Sequence, residues 1–406
     1  MAPAFSRPQH GPGSAHDDRF RRIRLTPPAL LGIALGLAGL GAMVWLISFG
    51  RYFGSVAAGL RYYSALAVGG EDAPGEAAQV ILVSYPHPQG TDEPCRVLQP
   101  VRTNRRRAII LYHGASPYAE EHPALNQLGQ ALALMGLTVY IPRLPRLKAL
   151  HFDDSSGPAM AAAYQHICAS GEWRSGQVNL VGTSFAGALL LKSLAEDDWG
   201  SMAPGAVMTF GSYCDLETAL RFVLTGKARF GKVSLEVDTD PWGQIIFFYN
   251  YLEYIERPFD REAVRTVLTY YVSGEEQAGL QARRKLAPRE GAIMEAILES
   301  SSAAATELAE EIITRARPVM SAYSPTSFVG QIRHTVWVLH GQVDRLVPYT
   351  EALALKALLG RRAKMHIAGR FGHKEAEGET HRWGRMKEEL GLVFFMTRFL
   401  RAAQIR

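Results

Sequence analysis

Apolar and polar positions along this chain follow two rhythms, and the change of rhythm marks its organisation. Gln79–Tyr85 and Cys95–Val101 alternate with a strand-like period, and turn-rich Pro86–Pro94 splits them, which predicts an antiparallel pair. Short continuous apolar runs follow at Ala108–Tyr112, Leu137–Ile141, Gln177–Thr183, Ala206–Phe210, Thr335–Leu339 and Lys364–Ala368. Segments of helical spacing separate them: Ala124–Met135, Ala159–Ala169, Ala188–Lys192, Thr350–Leu359 and a closing amphipathic stretch from Trp383 to Leu400. Buried runs alternating with helices imply right-handed crossovers and a mainly parallel sheet covered on both faces.

The alternation stops between residues 216 and 324. The stretch is helix-patterned, with candidates at Thr218–Thr225, Gln244–Ile255, Glu262–Val272, Gly291–Ser301 and Thr306–Ala316. An insertion between two sheet strands must sit above their ends as a cap. Its aromatic stripe, including Trp242, Phe247, Phe248 and Tyr251, reads first as core, with some rings left to line an enclosed pocket.

Before the alternation lies a different kind of chain. Residues 1–26 are rich in Pro, Gly, Ser, His and charge and predict a disordered tail. Ala29–Phe49 carries no charge; at about 1.5 Å per residue it reaches roughly the 30 Å of a bilayer core, so 27–50 is expected to be a transmembrane helix. Arg19, Arg21, Arg22 and Arg24 precede the span and Arg51 and Arg61 follow it, a bias that puts the N-terminus in the cytoplasm and the remainder outside. Gly32 and Gly36, with Ala34, Ala38 and Ala42, form a small-residue row that could pack a second copy. Residues 51–78 read as a lead-out helix and a linker. The expected division is then a body at 79–215 and 325–406 with the cap at 216–324.

Composition narrows the chemistry. The chain has 406 residues, ample for a large core, and a net charge of +5 with dispersed arginines, so nucleic acid is not the implied partner. Arg102, Arg105, Arg106 and Arg107 read as a solvated turn rather than a phosphate site. Cys95, Cys168 and Cys214 show no metal-ligand spacing, and no metal or organic cofactor is expected.

The decisive stretch is Gly182-Thr183-Ser184-Phe185-Ala186-Gly187, where an apolar strand runs straight into a helix. So sharp a turn needs small neighbours and aims the serine outward beside the first free N–H groups of the helix, which suits a nucleophile attacking a carbonyl. Ser184, Asp344 and His373 occur in the order nucleophile, acid, base, each after its own predicted strand. With His113-Gly114, the His340–Pro348 run and Gly372-His373, the chain from residue 79 to 401 resembles the α/β-hydrolases, and among them membrane-anchored esterases, lipases and dienelactone-hydrolase-like members. It departs from the pattern at Ala186, where these proteins usually have glycine.

The resemblance implies an α/β-hydrolase fold with a helical cap and a catalytic triad of Ser184, Asp344 and His373. The backbone N–H groups of Phe185 and Ala115 would form the oxyanion hole. The expected activity is hydrolysis of a carboxylic ester, including lipid-derived acyl esters. A peptidase or thioesterase of the same fold, or a catalytically silent binding protein at the membrane, are the alternatives. Asp215 competes with Asp344 as the acid, and His366 and His381 compete less well with His373. His113 reads as a buttress of the oxyanion loop, Tyr118, Glu120 and Glu121 as substrate contacts or solvated side chains, and His87 has no partner legible in the sequence.

Overall fold

A computed structural model describes residues 50, 53–60, 78–101, 107–299, 303–369 and 382–402. The expected tail and membrane span (1–49), the linker at 69–75, Arg102, Arg105, Arg106, His373 and His381 lie outside the described residues. Among the described residues no helix is long and apolar enough to cross a membrane.

In chain order the strands are β1 (Ala78–Pro86), β2 (Asp92–Pro100), β3 (Ala108–Tyr112), β4 (Thr138–Pro142), β5 (Val178–Thr183), β6 (Val207–Phe210), β7 (Lys227–Phe230), β8 (Val233–Glu236), β9 (Val336–Gly341) and β10 (Ala363–Ala368). Eight form one sheet in the order β1-β2-β4-β3-β5-β6-β9-β10, and β7 with β8 forms a separate hairpin. Only β2 runs against its neighbours; the pairs from β4 to β10 are parallel. The central strands are Ile, Leu and Val runs because both faces are covered: β3 and β9 are buried at every position.

The main helices are α1 (Pro123–Leu134), α2 (Ser156–Ala169), α3 (Phe185–Glu196), α4 (Leu216–Thr225), α5 (Pro241–Tyr251), α6 (Arg261–Val272), α7 (Glu276–Arg283), α8 (Pro288–Leu298), α9 (Ala303–Ala322), α10 (Thr350–Leu359) and α11 (Arg382–Ala402). Strand side chains alternate faces, so Ile109, Leu111, Val181 and Met208 pack under α1, α11 and the helical segment 53–60. Ile110, Leu180, Val207 and Val338 pack against α2, α3 and α10. The second cluster runs without a break into the cap, where Phe247, Phe248, Ile297 and Ile312 are fully buried. The cap is thus held by apolar burial, to which its half-exposed ion pairs such as Arg257–Glu307 add little.

The insertion is not all helical. Gly226 ends α4 at φ +69 and the chain turns into the β7–β8 hairpin, with Gly231 at φ +57 at its tip. The strands are four residues each and half exposed, too short for a periodic signal. Helix α7 also went unpredicted, because its sequence is polar on most of its turn.

One buried acid ties the cap to the body. Glu351, at the start of α10, accepts hydrogen bonds from Cys214 N (3.0 Å), Asp215 N (2.9 Å) and Thr218 Oγ1 (2.7 Å), where the chain leaves β6 for α4. Burial raises its carboxyl pKa, against the pull of these donors. Glu351→Ala would leave two buried N–H groups unpaired. We expect it to cost about 2–4 kcal/mol, read as a several-degree fall in Tm by calorimetry, with Glu351→Gln recovering part of the loss.

Candidate active site

The sheet's parallel strands all end at one rim, and the candidate residues emerge from it. Ser184 follows β5 directly. It holds φ +52 and ψ −128, a conformation that a residue with a side chain adopts only under constraint. The constraint is visible: a Cβ on Gly182 would lie 2.6 Å from both Ala186 O and Gly187 Cα, and one on Gly187 would lie 2.6 Å from Ser212 Cβ. Strand and helix therefore pass at backbone contact, held by Ser184 N donating to Phe210 O (2.8 Å) and Gly187 N to Ser184 O (3.0 Å). Ala186 fits without difficulty, fully buried, so the departure from glycine there has no steric consequence.

The turn leaves Ser184 half-buried at the wall of a cavity of about 460 Å³. Phe185 N opens α3 and Ala115 N lies in the loop after β3; among the described residues neither N–H meets an acceptor. Both residues line the same cavity as Ser184. A Cβ on Gly114 would come within 2.9 Å of Ser184 Cβ, so glycine lets the loop bring Ala115 alongside the serine.

His113 sets that loop. Its buried ring donates from Nδ1 to Gly114 O (2.7 Å) and accepts at Nε2 from Leu144 N (2.9 Å), which fixes one neutral tautomer. Burial pushes its pKa down to about 4. Glu120, expected to touch substrate or solvent, does neither. It is buried and gripped by Arg143, whose Nε lies 3.0 Å from both carboxylate oxygens. Burial alone would raise its pKa; the Arg143 hydrogen bonds and charge hold it below the ordinary value. Tyr118, 60% exposed, stands at the cavity mouth, and Glu121 points to solvent.

Asp344 follows β9, is buried, and lines the cavity as well. Its Oδ1 accepts from Leu346 N and Val347 N, both at 2.9 Å, which aims the carboxylate. His340, fully buried, donates from Nε2 to Val347 O (2.8 Å) and braces this loop from below. Asp215, the rival acid, is the N-cap of α4, accepting from Thr218 N (3.1 Å), and has no place in the cavity wall. His366 lies within β10, stacked on Phe395 of α11. His373 lies outside the described residues. The strand before it does not: Ala368 pairs with Gly341, and Gln342 N donates to Ala368 O (2.8 Å), so β10 ends beside the start of the Asp344 loop.

A mostly parallel sheet with one reversed strand, a strained serine after its fifth strand and an acid after a later one define the architecture. The fold is that of the α/β-hydrolases. No protein-family model matches the chain, and no curated protein matches it. Among solved structures it is similar to a puromycin hydrolase (12% identity, TM-score 0.46, covering 80% of this chain and 39% of that one). It is similar also to the esterase domain of a Rhodothermus marinus protein (15%, 0.41, 79% and 99%) and to the acylaminoacyl peptidase of Pyrococcus horikoshii (9%, 0.45, 80% and 42%). The chain thus spans about two fifths of the puromycin hydrolase's length.

Three supports of this candidate site were not read from sequence. They are the Arg143–Glu120 pair, the Glu351 clamp, and Phe152, whose ring stacks on Phe185 at 3.7 Å between centroids. The Phe152 loop is pinned to the cap by Asn250, which accepts from Phe152 N (3.2 Å) and donates to Leu150 O (2.9 Å). Nothing local marks such pairs, because each partner sits far along the chain.

The His113 titration gives a pH dependence whose sign is fixed. Above its ordinary value of 6.5 the ring is neutral folded or unfolded, and its full contribution is present. As pH falls from there toward about 4 only the unfolded chain takes the proton, so stability drops by up to roughly 3 kcal/mol and then levels. Urea unfolding at pH 7, 5.5 and 4.5 should show the stability gap between wild type and His113→Asn narrowing by that amount.

Proposed function

We propose that this protein is a serine hydrolase that cleaves a carboxylic ester through an acyl-enzyme. The observation that carries the reading is the strained Ser184 turn, opening on a cavity that two acceptor-free N–H groups and the aimed Asp344 carboxylate also face. Ser184 Oγ attacks the carbonyl carbon while His373 takes its proton, and Asp344 orients the imidazole and stabilises it when charged. The oxyanion settles against Phe185 N, the first N–H of α3, and Ala115 N in the loop after β3. Collapse expels the alcohol, which receives the proton from His373. Water then repeats the sequence on the acyl-enzyme and frees the acid.

The wall supports an apolar acyl group. Leu125, Phe152, Leu220, Val223, Trp242 and Ile246 face the cavity, several of them from the cap, so water is excluded where charge develops. The uncharged run at 29–49 supports attachment to a membrane, and the arginines that precede it support an N-terminus in the cytoplasm. Deleting residues 1–50 should then release it from membranes.

A fluorophosphonate probe tests the chemistry. Wild type should be labelled covalently and Ser184→Ala not at all. Asp344→Asn should lower kcat/KM on p-nitrophenyl esters by on the order of 10⁴, and His373→Ala by at least as much. A folded wild-type protein that takes no label would refute the enzyme reading, and faster cleavage of p-nitroanilides than of the matched esters would make it a peptidase.

A further inference from the structure

A second cavity, of about 40 Å³, lies between the sheet and the helices of its α1/α11 face. Among the described residues its lining is apolar: Leu60 from the segment 53–60, Leu132 and Met396 from the helices, Ile109, Val181 and Met208 from the sheet. A water placed there would find no hydrogen-bond partner, so the space is dry and suits hydrocarbon. Interiors pack too closely to leave such a void without losing contacts around it. It is not an isolated fault in the core either. Leu128 and Phe210 line both this space and the catalytic cavity, and Phe210 O is the acceptor of the Ser184 N–H.

We propose that the far end of the substrate's acyl chain passes between Leu128 and Phe210 into this inner cavity, making the substrate class a medium or long straight-chain acyl ester. The proposal rests on the hydrolase reading of Ser184, from which the path starts. The carbonyl stays at Phe185 N and Ala115 N, the first methylenes lie along Leu125 and Leu128, and the chain end displaces nothing that hydrogen-bonds. A polar acyl group finds no partner in this lining and is excluded from it.

Binding tests this without turnover. Ser184→Ala protein should bind cis-parinaric acid with the fluorescence rise of a dry site. Adding Leu60→Trp or Leu132→Phe, which put bulk into the inner cavity from two different helical segments, should raise Kd by about fourfold for each methylene displaced, roughly fifteenfold for two. With Ser184 intact, the same substitutions should lower the kcat/KM ratio of p-nitrophenyl decanoate to acetate by a similar factor. Absence of parinarate binding, or equal affinity in folded Leu60→Trp and Leu132→Phe proteins, overturns the proposal. Leu60 is half-buried on the segment 53–60, so its variant keeps the test open should Leu132→Phe not fold. Parinarate binding that both fillings weaken, in a protein that no fluorophosphonate labels, would sustain the chain site while removing the hydrolase.

Discussion

The site depends on one steric fact: strand β5 and helix α3 meet with no room for side chains between them. Gly182 and Gly187 allow that approach, and the residue caught at its apex must take a positive φ. Such a backbone costs on the order of 1–3 kcal/mol and persists only where the surroundings over-determine it. Here the surroundings are the β5–β6 ladder, extended by Ser184 N to Phe210 O, and the buried apolar face of α3. The same geometry that strains the serine sets Phe185, the first residue of α3, in the wall of the cavity beside it.

The other groups are fixed by buried polar contacts as well as by packing. His113 as a neutral ring between Gly114 O and Leu144 N, Glu120 against Arg143, and Glu351 beneath the entry to α4 each hold a loop in place. Buried polar groups are costly unless satisfied, and each of these is paired in a way that admits one loop conformation. The exposed ion pairs of the cap have no comparable role.

How much of this could be read from the sequence follows from how local each signal is. The sheet was legible because buried parallel strands are continuous apolar runs; Ala108–Tyr112 and Thr350–Leu359 match the structure end for end. The serine turn was legible because its glycines and the strand and helix that flank it are contiguous. Asp215 misled as a rival acid because an acid after a strand and a helix N-cap look alike until its acceptor role to Thr218 N is seen. Glu120 was read as a substrate contact or a solvated side chain because its partner Arg143 lies beyond a helix and a strand. The β7–β8 hairpin, with four-residue strands, gives too few positions for any period to show.

The adjacency of β6 and β9 carries a consequence for how this chain reaches its native state. These strands pair directly, yet the whole cap is threaded between them. Ordering so long a loop before any contact rewards it slows the search, and until β9 docks, one edge of the half-built sheet stays open to other chains. The cap's continuous apolar cluster shortens that interval by drawing the loop's ends together as it condenses. Asp344, riding just after β9, comes to the rim beside Ser184 only when β9 pairs with β6, so closing the long loop and completing this rim are one event.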